Sequence, residues 1–349
     1  MTHRAERRDS MTQRSESIPP WLETPWRRLQ ERRTGDRLPH ALLLAGPGGV
    51  GKALLARELA EALLCTAPRS DGRACGACRA CRLIDAGTHP DLFRLQPVEG
   101  RAIPVEGVRA LREVLALRSQ YGGWRIAWIA AAERMTSAAA NALLKTLEEP
   151  GPQSLLLLVS DRPDLLPATI RSRCQRLALP IPPRAQALGW LTGQEEVTEA
   201  ERWLTLAGGA PFAALKRIRS GAVDPRPELI QDLAAVAAGQ SDPLAAAERC
   251  AARGAAESLQ WISSCVMDMI RLRCCRQPVA LRNPDLRESL QRLAAGCPPE
   301  RLFHYLDRLT AGGREAQSSI NDQLLLEDVL IAWHELATGG FETRGGIRR

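Results

Sequence analysis

Residues 46 to 53 read Gly46-Pro47-Gly48-Gly49-Val50-Gly51-Lys52-Ala53, and an unbroken apolar run, Ala41-Leu42-Leu43-Leu44-Ala45, leads into them. A helical pattern, Ala53 to Leu64, leads out. Strand, glycine loop and helix in this order match the phosphate-binding loop G-x-x-x-x-G-K-[ST] at every position but the last. The glycines let backbone N–H groups curl round an anion, the helix N-terminus adds the positive end of its dipole, and Lys52 is placed to reach phosphate oxygens. Gly46, Gly48, Gly49, Gly51 and Lys52 are therefore candidate nucleotide-binding residues. The last position should present a hydroxyl to Mg²⁺, but Ala53 carries only a methyl group, which cannot ligate a hard cation.

Outward from the loop, the chain alternates strand and helix patterns. An entry helix over Trp21–Arg33 has Leu22, Trp26 and Leu29 at helical spacing. The helix after the loop is expected to bury Leu54, Leu55, Leu59 and Leu63 and to show Arg57, Glu58 and Glu61 to water. His40 is expected to be packed against strand one, and His89 to be a turn residue ahead of the short strand Leu92–Leu95. A helix follows Pro104 as far as Leu117. The buried strand Arg125–Ala130 runs into Ala131 and Ala132, where a P-loop ATPase should carry acids for Mg²⁺ and for the attacking water. Glu133 lies further along. A helix over Ser137–Glu149, with Thr136 as N-cap and Pro150 as stop, precedes the apolar strand Leu155–Val159. A short helix over Pro163–Arg171 leads to Ser172-Arg173-Cys174 and a last strand, Gln175–Leu179. Alternation of this kind predicts a parallel α/β sheet.

Pro180-Ile181-Pro182-Pro183 is a stiff linker. The expected organisation is an extension without structure over 1–17, an α/β domain over 18–180, a helical lid over 181–224, a helical domain over 225–338 and a loose tail over 339–349. The chain has 349 residues, 45% of them hydrophobic, with ten cysteines and a net charge of +7, which permits an acidic partner such as nucleic acid. No apolar run approaches the roughly 18–20 residues of a membrane span. The polar N-terminus lacks a secretory core and carries Glu6, Asp9 and Glu16 among its arginines, which argues against a transit peptide.

Cys65, Cys75, Cys78 and Cys81 follow the pattern C-x9-C-x2-C-x2-C. The three-residue steps let neighbouring thiolates converge on one ion, and with four protein ligands the expected Zn²⁺ is structural, with no open position for catalysis. Cys250, Cys265, Cys274, Cys275 and Cys297 lack such spacing and are expected as buried or free thiols. A metal cluster among scattered thiols fits a reducing cytoplasm.

These motifs in this order resemble the bacterial clamp-loader proteins of the AAA+ class. The resemblance rests on the cysteine insertion after the loop helix, on Asn141-Ala142-Leu143-Leu144-Lys145-Thr146-Leu147-Glu148-Glu149-Pro150, on Ser172-Arg173-Cys174, and on Thr88-His89-Pro90-Asp91. It covers about residues 20 to 220, and the C-terminal helices by length and class only. It implies an AAA+ module with a zinc insertion, a helical lid and an all-α collar. It also implies hetero-oligomeric assembly with gamma/tau and delta subunits, action on a sliding clamp and primed DNA through the complex, and a location in the cytoplasm at the replisome. In that family the Ser-Arg-Cys arginine, here Arg173, reaches ATP held by the adjacent subunit. An active subunit would carry a Ser or Thr at Ala53, acids near Ala130 and Ala131, and an arginine in the lid where Phe212 stands in Ala207–Leu215. The departures point to a non-hydrolysing subunit with weak or absent ATP binding. Whether Lys52 still meets a phosphate or is a relic of the fold stays open at this point. Two other readings also stand: an active gamma-like ATPase using Lys52 with Glu133 or Asp161, and a zinc-dependent nucleic-acid-binding module.

Overall fold

The structure is a computed structural model in which residues 18–98, 101–121, 123–194, 197–275, 281–315 and 322–338 are described. The extension expected over 1–17 and the tail over 339–349 lie outside the described residues. The chain separates into two compact units, one up to Arg219 and one from Ser220 onward.

The first unit is built on a five-stranded sheet of β1 (Ala41–Ala45), β2 (Leu92–Leu95), β3 (Arg125–Ile129), β4 (Ser154–Ser160) and β5 (Gln175–Ala178). All pairings are parallel and the order is β2-β3-β4-β1-β5. The helices are α1 (Pro20–Thr34), α2 (Lys52–Leu64), α3 (Arg79–Asp85), α4 (Val105–Ala116), α5 (Ser137–Glu148), α6 (Ala168–Arg171), α7 (Arg184–Thr192), α8 (Ala200–Leu206) and α9 (Pro211–Arg219).

Strand side chains alternate between two cores, as a period of two requires. Leu42, Leu44, Leu155, Leu157 and Trp128 join Leu22, Leu29, Leu55 and Leu59 of α1 and α2. Leu43, Leu156, Leu158 and Ile129 join Leu111, Leu115, Leu143 and Leu147 of α4 and α5. The continuous run of β1 is thus apolar because both its faces are covered. Thr136 Oγ1 accepts from Ala139 N at 3.2 Å and caps α5.

Three local expectations are corrected. Glu58 and Glu61 are buried, at 6% and 3% exposure. Arg73, arriving from the cysteine segment, donates Nε and Nη2 to Glu58 at 3.1 Å each, and Arg57 pairs with Glu61. Leu54, in turn, is only half-buried. His40 is exposed; its carbonyl, not its ring, is tied down, accepting from Leu156 N at 2.7 Å. The helix over Pro163–Arg171 is broken into a 3₁₀ turn, Pro163–Leu165, and α6. Leu166 sits between them in an extended conformation because the proline that follows clashes with an α conformation there.

The second unit is helical: α10 (Arg226–Ala237), α11 (Pro243–Arg253), α12 (Ala255–Cys274), α13 (Arg287–Ala295), α14 (Pro299–Glu315) and α15 (Asp322–Thr338). Its core holds Trp333, whose Nε1 donates to Leu233 O at 2.8 Å, and Tyr305, whose hydroxyl donates to Val329 O at 3.1 Å. Cys250, Cys265 and Cys297 are buried in this unit, and Cys274 and Cys275 are exposed. Among the described residues no helix is long and apolar enough to cross a membrane.

Candidate functional site

The glycine loop leaves the C-terminal end of β1 beside the C-terminal end of β4, where Ser160 meets Asp161. In parallel α/β sheets this edge, outside the carboxyl ends of the strands, is where ligands bind. Here the chain's own groups occupy the loop. Lys52 is 3% exposed. Its ammonium donates to Gly46 O at 2.7 Å and to Pro47 O, and it pairs with Asp161 Oδ1 at 2.7 Å. Two loop carbonyls and the Asp161 carboxylate thus surround the ammonium on its buried side.

The other side of the loop is closed by the helices after the proline linker. Phe212 N donates to Gly49 O at 2.9 Å. Gly49 has φ +76°, and a Cβ placed there would lie 2.5 Å from the Cβ of Ala213. A Cβ on Gly51, at φ +102°, would lie 2.9 Å from the Phe212 ring. These glycines are needed for the close approach of α9 as well as for backbone conformation. Trp21 Nε1 donates to Val50 O at 2.9 Å. Its ring meets Trp190 edge-on with centroids 5.4 Å apart, and Trp190 meets Phe212 at 4.7 Å. Three aromatic rings from α1, α7 and α9 thus cluster against the loop.

At the end of β3, Ala130 and Ala131 place no carboxylate beside the loop, and Ala131 turns with φ +52°. Of the acids considered in their place, Asp161 is engaged by Lys52, while Glu133 Oε1 accepts from Asp161 N at 3.3 Å and its buried Oε2 has no partner among the described residues.

Arg173 is presented differently. The short helix α6 ends at Arg171, and Ser172 Oγ donates back to Thr169 O at 3.1 Å. Cys174 is buried in the core beneath the sheet, and burial pushes its thiol up to about 11, so it is an inert anchor. Between an exposed Ser172 and a buried Cys174, Arg173 projects to solvent with 38% of its side chain exposed. Nη1 donates to Thr169 O at 3.1 Å and Nη2 pairs with Glu148 Oε1 at 2.7 Å.

The four cysteines converge as their spacing predicts, with all Sγ atoms within 4.8 Å of one another. Cys65 and Cys78 Sγ are 3.9 Å apart, and Cys75 and Cys81 Sγ 4.0 Å. A tetrahedral zinc with Zn–S bonds of about 2.3 Å requires S···S separations of about 3.8 Å, so the cluster could hold such an ion. Backbone N–H groups of Ala77 and Cys78 point at Cys75 Sγ, at 3.4 and 3.3 Å, and lower that thiol's pKa. Cys78 is opposed by burial, yet hydrogen bonds from Cys81 N and Thr66 bring it down to about 5. The surroundings of Cys75 and Cys78 thus favour thiolates, whereas burial raises the thiols of Cys65 and Cys81. His89 does not join the cluster. Its ring is 5% exposed, Nδ1 accepts from Asp91 N at 3.1 Å, and burial lowers its pKa, which fits the turn reading.

The family models and the curated relatives agree with one another. A family model described as DNA polymerase III, delta subunit, matches residues 21–182, and one described as DNA polymerase III, delta subunit, C terminal, matches residues 220–335. A protein named DNA polymerase III subunit delta' from Pseudomonas aeruginosa is 34% identical over 93% of this chain and 99% of its own length. The chain belongs to the DNA polymerase III delta prime family. The Escherichia coli K12 protein of the same name is 35% identical over 89% of this chain and 94% of its own. A solved DNA polymerase III gamma subunit-related protein from Thermotoga maritima covers 91% of the chain at 18% identity, with a TM-score of 0.43.

The loop, the cysteines and the Ser-Arg-Cys turn carry sequence signals; the groups that close the loop do not. Trp190 carried no local signal. Asp161 reads in sequence only as a candidate catalytic acid. Glu148 lay inside the quoted helix motif without a role.

Proposed function

We propose that this chain is a catalytically silent member of the clamp loader, one that supplies Arg173 to ATP held by a neighbouring subunit. The observation that carries this reading is a contrast. The chain's own loop is filled by Lys52–Asp161 and by the Trp21–Trp190–Phe212 cluster, while Arg173 stands in solvent on a fixed turn. A guanidinium at a transferring phosphoryl group offsets the charge that develops there, and its planar fork suits phosphate oxygens. On this reading Gly46, Gly48, Gly49, Gly51 and Lys52 are a relic of the fold with weak or absent nucleotide binding. Cys65, Cys75, Cys78 and Cys81 hold a structural zinc. Residues 181–224 act as the lid and 225–338 as the oligomerisation domain. The partners are gamma/tau and delta subunits in a ring that loads the sliding clamp onto primed DNA in the cytoplasm.

The alternative of an active ATPase using Glu133 or Asp161 is disfavoured, because Asp161 is paired with Lys52 and no hydroxyl stands at Ala53 for a metal. ATP turnover by the isolated chain, abolished by Lys52→Ala, would reinstate it. The main reading is tested in the reconstituted loader. Arg173→Ala should lower DNA-stimulated ATP hydrolysis with assembly intact, and unchanged hydrolysis would refute a role in trans.

A further inference from the structure

From the placement of Glu148 against Arg173 we infer a positioning role for Glu148: it holds the arginine's guanidinium in the orientation in which it meets the neighbour's phosphate. This rests on the reading of Arg173 given above. Glu148 is the last residue of α5, a helix fixed in the core by Leu143 and Leu147, at 0% and 3% exposure. α5 packs against α6, and Arg173 lies in the turn two residues beyond the end of α6, which brings the carboxylate and the arginine together. Glu148 Oε1 forms an ion pair with Nη2 at 2.7 Å, and Thr169 O accepts a hydrogen bond from Nη1 at 3.1 Å. One terminal nitrogen is held by the carboxylate's charge and the other by a carbonyl hydrogen bond. The Nε–H has no partner among the described residues, so the fork keeps donors for a phosphate.

The energetics favour positioning over a stabilising role. Both side chains are substantially exposed, at 38% and 51%, and an exposed pair of this kind adds little to stability. What it does is restrict a long, rotamer-rich side chain, and pre-set geometry is what a charge-stabilising group must have at the moment of transfer. Glu149, one residue on, cannot substitute. It leaves the helix at φ −122°, ψ 71°, as the C-cap.

The test is a double-mutant cycle in the reconstituted clamp loader, reading ATP turnover with primed DNA. Glu148→Ala should lower kcat roughly tenfold at unchanged KM, within the about 10²-fold that small misplacements cost. Glu148→Gln removes the charge that makes the pair and should fall toward Glu148→Ala, whereas Glu148→Asp keeps the charge and should recover part of the rate. In an Arg173→Ala background, Glu148→Ala should have no further effect. Equal losses in both backgrounds, an unchanged kcat, or a raised kcat would overturn the positioning role. Thermal unfolding and assembly of each variant should match the parent, which separates this result from misfolding. If Arg173→Ala alone leaves turnover intact, the role of the arginine itself falls, and that outcome is distinguishable from failure of Glu148 alone.

Discussion

Replacing Asp161 by alanine should destabilise the first unit, and by an amount the loop geometry sets. Lys52 would keep two carbonyl acceptors but lose its counter-charge while remaining 3% exposed. Removing one partner of a fully buried ion pair costs about 3–5 kcal/mol. Asp161 is 54% exposed, so water reaches that side of the pair, and the cost falls to about 1–2 kcal/mol. For a unit of this size each kcal/mol moves Tm by about 2–4 °C, giving a drop of about 2–8 °C. Thermal unfolding of the full chain, followed by circular dichroism, reads it. The double variant Lys52→Met/Asp161→Ala should recover most of the loss, since removing both charges leaves none buried and unpaired. The same assay reports on nucleotide: a ligand at 100 times its Kd would stabilise by about 2.7 kcal/mol, and Mg·ATP should produce no such rise. If Asp161→Ala melts like the parent, or if Mg·ATP raises Tm through Lys52, the reading of a loop closed by its own chain is wrong.

Other consequences follow from the same packing. Purified protein should contain a single zinc ion per chain, lost in Cys78→Ser, and chelation should open trypsin cleavage at Arg69 and Arg73 while the sheet persists; a metal-free native protein would contradict this. Gly49→Ala should cost about 2 kcal/mol or more in denaturant unfolding, because the residue has φ +76° and the new methyl meets Ala213 at 2.5 Å. In the second unit, Arg226 is 1% exposed and bonds Asp224, Asp285 and Asn283. Arg226→Ala should therefore destabilise that unit by about 3–5 kcal/mol, and a near-neutral result would mean that water replaces the guanidinium.

What was legible in the sequence was local. The five apolar residues of β1, the helix spacing of Leu22, Trp26 and Leu29, the Thr136 cap and the cysteine steps each encode their structure within a few residues. What was not legible depends on groups far apart in the chain. Glu58 and Glu61 look like the wet face of a helix until Arg73 folds back over it. Lys52 looks like a phosphate ligand until Asp161, on another strand's end, takes it. Phe212 could be read as a missing arginine, but not as a ring lying on Gly51, because that contact depends on how α9 packs against the loop. The Ser-Arg-Cys turn was legible as a motif; that Glu148 grips its arginine required the packing of α5 on α6.

The central claim is that this chain's catalytic contribution lies at Arg173 and not in its own loop. The direct measurement compares Arg173→Ala and Lys52→Ala in the reconstituted clamp loader, with ATP hydrolysis followed in the presence of clamp and primed DNA. Arg173→Ala should reduce turnover at the site it serves by about 10³-fold or more, as loss of an arginine finger does, while Lys52→Ala in this chain should leave turnover unchanged. Full turnover with Arg173→Ala, or its loss with Lys52→Ala in an intact assembly, would contradict the account.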